Sequence, residues 1–114
     1  MHVWQKSRLL VNAVYELTGS YPSAERFGLT QQTRSAATSV AANIAEGCGR
    51  YGRKEFARFL SMSLGSAFEL ESHLELARHL GYAGKDDAEG LQMEIDAFLV
   101  RLHRFIHATR QLPR

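Results

Sequence analysis

The chain has 114 residues, 45% of them hydrophobic, with 14 lysines and arginines against 12 aspartates and glutamates and a formal net charge of +2. That length fits one domain, residues 1–114, able to bury roughly two thirds of the surface its unfolded form exposes, so no staple is required. A single cysteine, Cys48, excludes an internal disulfide and a thiolate metal cluster, the apolar stretches are too short to span a bilayer, and the start Met1-His2-Val3-Trp4-Gln5-Lys6 lacks the pattern of a signal peptide.

Both prolines, Pro22 and Pro113, lie outside the periodic segments, which leaves four long stretches free of the strongest helix breaker. The first helix is expected from about Val3 to Thr18, with Leu10, Val14 and Leu17 spaced for one face and Gly19 at its end. A short helical corner follows in Ser20–Gly28, where Pro22 opens a turn and Gly28 closes it. Thr30 is placed to cap the second helix, which should end at Gly47 with that glycine as a left-handed C-terminal residue.

That second helix contains Ser35 to Ala45, eleven residues without a formal charge. A surface helix normally carries charge on its outer side, so a helix uncharged all round should be covered on more than one side. Ala37, Val40, Ala41 and Ile44 form one stripe, and Ala36, Ser39, Asn43 and Glu46 an adjacent one. The expectation is burial by the chain's own bundle on one side and by a second copy on the other, with Ala36, Ser39, Ala41 and Ala42 at the contact. Asn43 and Glu46 read as a polar latch between helices, with Ser66 or Arg34 as partners.

The third helix opens near Arg53 and carries Phe56, Phe59, Leu60, Ser63, Ala67, Leu70, Leu74 and Ala77 in a heptad-like seam of about 28 residues. Gly81-Tyr82-Ala83-Gly84 breaks it. Asp86 and Asp87 suit the positive dipole end of the last helix, whose inner face is Leu91, Ile95, Phe98, Leu102 and Ile106 to about Gln111. No window alternates as a strand does, so the fold class is all-α, an antiparallel up-and-down four-helix bundle.

Charge is unevenly distributed: residues 1–25 sum to zero, 26–68 to +4, 69–96 to −6 and 97–114 to +4. Arg50, Arg53 and Lys54 crowd the start of the third helix, where free N–H groups and the dipole favour anions. With Arg58 one turn on, Tyr51 available for stacking, and Arg34 repeated around an oligomer, these are the candidate nucleic-acid contacts. The alternative is a solvated basic end. Gly47-Cys48-Gly49-Arg50-Tyr51-Gly52 matches G-x-G-x-x-G but follows a helix, so it reads as a hairpin rather than a dinucleotide fingerprint. His103 and His107 have zinc-ligand spacing without a local third ligand and read as surface histidines. Cys48 has no neighbouring histidine, and Ser63, Ser66 and Ser72 have no glycine elbow, so no catalytic residue, metal or cofactor is assigned.

The segments Phe27-Gly28-Leu29-Thr30, Asn43-Ile44-Ala45-Glu46-Gly47 and Gly65-Ser66-Ala67-Phe68-Glu69-Leu70-Glu71, together with Gln32, Arg34, Ala36 and Phe59-Leu60, resemble a bacterial four-helix-bundle protein family. Members of that family were first noted as products of intervening sequences in large-subunit ribosomal RNA genes. The resemblance implies a ring-like homopentamer without enzymatic activity. More distantly the chain is similar to accessory variability proteins of diversity-generating retroelements, basic pentamers that engage nucleic acid and a reverse transcriptase. The family places two arginines in succession in the second helix, where this chain has Arg34-Ser35. The functional expectation is a non-catalytic, cytoplasmic, homo-oligomeric protein, a pentamer by that resemblance, that associates with RNA or DNA. A protein-interaction scaffold using the acidic 69–96 region is the alternative.

Overall fold

A computed structural model describes residues 2–111. Four helices, α1 (His2–Thr18), α2 (Leu29–Cys48), α3 (Arg53–His79) and α4 (Lys85–Gln111), are joined by short loops, with one 3₁₀ turn at Ser23–Glu25 before α2. The described residues contain no strand, and none of their helices is long and apolar enough to cross a membrane. The expected helical corner and four-helix bundle are both present, in a molecule measuring 49 × 24 × 18 Å.

Three side-chain contacts define the helix directions. Arg34, early in α2, donates from Nε to Thr18 Oγ1 at the end of α1 (2.8 Å). Arg110, at the end of α4, donates to Ser61 Oγ in the first half of α3 (3.2 Å), and Arg101 of α4 meets the ring of His2 at the start of α1. Successive helices are therefore antiparallel, and one pole collects the starts of α1 and α3 with the ends of α2 and α4. Val14, Ile44, Leu60, Leu70, Ile95 and Leu102 are fully buried between the helices, and removing such apolar surface from water drives the packing.

Most buried hydroxyls are satisfied locally, the Tyr21 hydroxyl being buried without a partner. Ser7, Thr18, Thr33 and Thr109 each donate to a carbonyl three or four residues earlier in their own helix. Ser63 differs, because its Oγ donates across the core to the Val40 carbonyl at 2.7 Å and ties α3 to α2.

Three sequence expectations are corrected. Thr30 is not the cap of α2: it is buried inside the first turn, and the Leu29 N–H is accepted instead by Glu25 Oε1 at 3.0 Å. The other carboxylate oxygen of Glu25 accepts the Tyr82 hydroxyl at 2.8 Å, so one side chain caps α2 and fastens the α3–α4 loop. The Leu29 N–H and then the Tyr82 hydroxyl hold the Glu25 carboxyl below its ordinary range. Gly47 is not a left-handed terminator either: α2 continues through Cys48, and positive φ falls at Gly52 (85°) and Gly81 (74°). Finally, Ala36 is buried within this chain's own core, so it is unavailable to a second copy.

The reason for a glycine at 47 is close approach. A Cβ there would lie 3.0 Å from both Phe56 Cδ1 and Phe59 Cβ. Phe59 Cβ is fixed to its backbone, so α3 would have to retreat. The overpacking cost of about 1–3 kcal/mol exceeds the helix-propensity gain of roughly 1 kcal/mol. Gly65, by contrast, has nothing within 4 Å of a built Cβ. Urea unfolding should therefore show Gly47→Ala destabilised by about 1 kcal/mol and Gly65→Ala stabilised by about 0.5–1 kcal/mol; equal shifts in one direction would contradict this packing.

Candidate nucleic-acid interface

The hairpin between α2 and α3 is built by two short turns, with the Gly49 N–H bonded to the Glu46 carbonyl and the Arg50 N–H to the Gly47 carbonyl. Gly52 then takes an extended conformation at positive φ (85°), open to glycine, that lets α3 start. Gly52, the residue before α3, has no side chain to cap it, and the first turn lies at the positive end of the helix dipole. Tyr51, at the tip, is 98% exposed.

The cations around this tip are oriented by the same phenylalanine that packs on Gly47. Arg50 and Arg58 lie over the Phe59 ring at 5.1 and 4.6 Å from its centroid. Each also pairs with a carboxylate on its own helix or the one before: Arg50 with Glu46 at 3.3 Å and Arg58 with Glu55 at 3.1 Å. All four side chains are about half exposed. Ion pairs of that kind contribute only about 0–1 kcal/mol, so a phosphate can displace the carboxylates at little cost. Arg53 is half-buried, while Lys54 is exposed on the next position.

Arg34 does not join this group. It precedes Arg50 by sixteen residues, about 24 Å along a helix, and it is engaged at the opposite end of α1. Besides Thr18, it donates to the Tyr15 carbonyl at 3.3 Å, and its guanidinium lies 4.5 Å from the Tyr15 ring centroid. A cation on terminal carbonyls is favoured by the helix dipole; Arg34 is a C-terminal clamp of α1.

Nor do Asn43, Glu46 and Ser66 form a latch within the chain. Asn43 Nδ2 turns back to the Ser39 carbonyl at 2.9 Å and Glu46 is exposed beside Arg50. The polar tie between α2 and α3 is Ser63 to Val40. On the outer side of α2, Ala42 is exposed and Ser39 and Ala41 are half-buried or exposed, next to exposed Ser35, Thr38 and Ala45. This face is uncharged and uncovered in the single chain.

Topology brings further cations to the hairpin pole. Phe56 of α3 meets Phe105 of α4 edge-on at 5.9 Å, so exposed Arg104 and Arg110 belong to the same end as Arg58. His103 and His107 are exposed beside them. No cluster of three or more histidine, cysteine, aspartate or glutamate side chains capable of holding a metal occurs among the described residues. The opposite pole carries the acidic block. There Gln92 Nε2 donates to Glu71 Oε2 at 3.2 Å and to Asp96 Oδ1 at 3.3 Å. The Glu71 carboxyl is pushed above its ordinary range, first by its hydrogen bond with Asp96, then by burial and by the charges of Asp96 and Glu75.

The model of the 23S rRNA-intervening sequence protein family matches residues 1–104. Among solved structures, the chain is similar to a protein of unknown function from the S23 ribosomal protein family of Bacteroides thetaiotaomicron, with a TM-score of 0.84 and 24% sequence identity over 92% of this chain and 95% of that one. That likeness establishes the shared four-helix fold. Among curated proteins none matches.

The Glu71–Asp96 pair has a pH consequence. A carboxyl whose folded value is raised contributes stability that is present below its unfolded value and lost as the pH rises through the folded one. Urea midpoints measured from about pH 4 to about pH 7 should therefore lose this contribution in the unmodified chain, while Asp96→Asn, which removes the principal cause, flattens it. The difference between the two profiles isolates Glu71 from carboxyls such as Glu25, whose contribution has the opposite sign; superimposable profiles would show that the pair is not linked.

Proposed function

The chain belongs to the 23S rRNA-intervening sequence protein family, and from that premise we propose that it is a non-catalytic, homo-oligomeric, RNA-associated accessory protein of the cytoplasm. The carrying observation is the segregation of charge along a 49 Å bundle. Arg50, Lys54, Arg58, Arg104 and Arg110 share one pole, and the carboxylates of residues 69–96 lie toward the other. Several weakly held cations around uncapped N–H groups suit a phosphate backbone, whose binding releases counterions. Repetition around a ring, pentameric in this proposal, multiplies individually weak contacts into avidity.

The uncharged outer side of α2 supports the assembly. Ser35, Thr38, Ala42 and Ala45 are small enough for another backbone to approach closely, and none carries a charge that would have to be desolvated. A second reading is favoured by one feature, the exposed Leu76 and Leu80 near the acidic pole, each 51% accessible. These suit a protein partner, and copurification of one protein that survives nuclease treatment would favour that scaffold role.

Two measurements test the proposal. Anisotropy of labelled RNA should show affinity falling steeply with salt, and Arg50→Ala with Arg53→Ala should reduce the slope of log K against log salt by about 0.7 per lost contact; flat titrations at low salt would refute RNA association. Light scattering should find an oligomer that Ala42→Glu reduces to the mass of the 12.8 kDa chain with helical circular dichroism retained. A monomer before substitution, or an unaltered mass after it, would refute the assembly.

A further inference from the structure

We propose that the groove between α3 and α4 at the basic pole seats an unstacked base of single-stranded RNA, its phosphates paired with Arg104 and Arg110. This rests on RNA association as proposed above and names the form of RNA recognised. The groove encloses about 530 Å³, a size suited to a small ligand. Its floor is apolar, formed by buried Ile106 and half-buried Leu64 with exposed Ala108 at the rim, and its polar lining is Ser61, two arginines and the imidazoles of His103 and His107. Among the described residues no carboxylate lines it. Arg110 is held at its place by the hydrogen bond to Ser61.

The charge pattern specifies the occupant. An apolar floor between cations accepts the flat face of a base while its backbone meets the guanidinium groups, the combination that single-strand binding surfaces use. Farther along the same pair of helices the surface is lined by Glu71, Glu75 and Asp96, which repel phosphate, so the strand is confined to the basic half. Lys54 is two helical turns before Ser61 on the same side of α3, about 10 Å along the axis. A strand gripped at the α2–α3 hairpin therefore leads into the groove. Duplex RNA offers the same phosphates with its bases stacked and paired, and none can enter.

The test compares a labelled single-stranded RNA with the same sequence as a duplex, both titrated by anisotropy against the full chain. Ala108→Trp, at an exposed position on the rim, covers the groove without removing a charge. It should weaken single-strand binding about tenfold, within the range for loss of one base contact, and leave duplex binding unaltered. Leu64→Ala, which removes apolar surface beneath the base without touching a charge, should likewise lower the ratio of single-strand to duplex affinity, and it answers the same question should the tryptophan variant fail to fold. An unaltered ratio in the folded variants overturns the groove while leaving RNA association in place. Absence of binding to both RNAs by the unmodified chain overturns both proposals. Competition by polyglutamate equal, charge for charge, to that by single-stranded RNA also overturns the groove, since it would then accept any polyanion or acidic peptide.

Discussion

A hydrogen atom in place of a side chain at Gly47 sets how near α2 and α3 come at the hairpin end, and the surface chemistry of that end depends on it. With Phe56 and Phe59 pressed against the α2 backbone, Phe59 is only 7% exposed, its ring covered on the outside by Arg50 and Arg58. One guanidinium group comes from the loop and the other from α3, yet they converge on one aromatic support. Core packing and surface charge are thus the same contact seen from inside and outside, and widening it by an ångström would loosen both.

Antiparallel topology does the second part of the work. Basic residues near the start of α3 and the end of α4 are about fifty positions apart in the chain, and only the reversal between those helices makes them neighbours, as the Arg110–Ser61 bond records. Interhelical register is fixed mainly by shape. Most buried hydroxyls bond within their own helices, so Ser63 on the Val40 carbonyl is the polar contact that ties the centre of α3 to α2.

Much of this was legible in the residues. Apolar spacing located all four helices, because a 3.6-residue period sustained over several turns suits a helix and no strand. The seam of α3 and the inner face of α4 are nearly all buried as the spacing predicts. The ends were harder: Thr30 has the chemistry of a cap, but the helix starts one residue earlier and Glu25 accepts the Leu29 N–H from outside it, and nothing local distinguishes the two. Gly47 illustrates the same limit, since a glycine near a helix end serves equally for a left-handed turn or for a close neighbour. For the candidate site, Arg50, Arg53, Lys54 and Arg58 were found from proximity in sequence. Arg34 was misplaced because helical rise separates it from them, and the contribution of Arg104 and Arg110 was visible only as a block sum for residues 97–114. Joining that sum to the hairpin required the fold.

Separation of charge along the long axis gives the molecule an electrical direction. A distant polyanion attracts one end and repels the other, and the resulting torque swings the bundle round during approach. Orientation is then largely settled before collision, so a greater share of encounters begins with the α2–α3 tip leading, and the rate gained in this way fades as added electrolyte shortens the reach of the field.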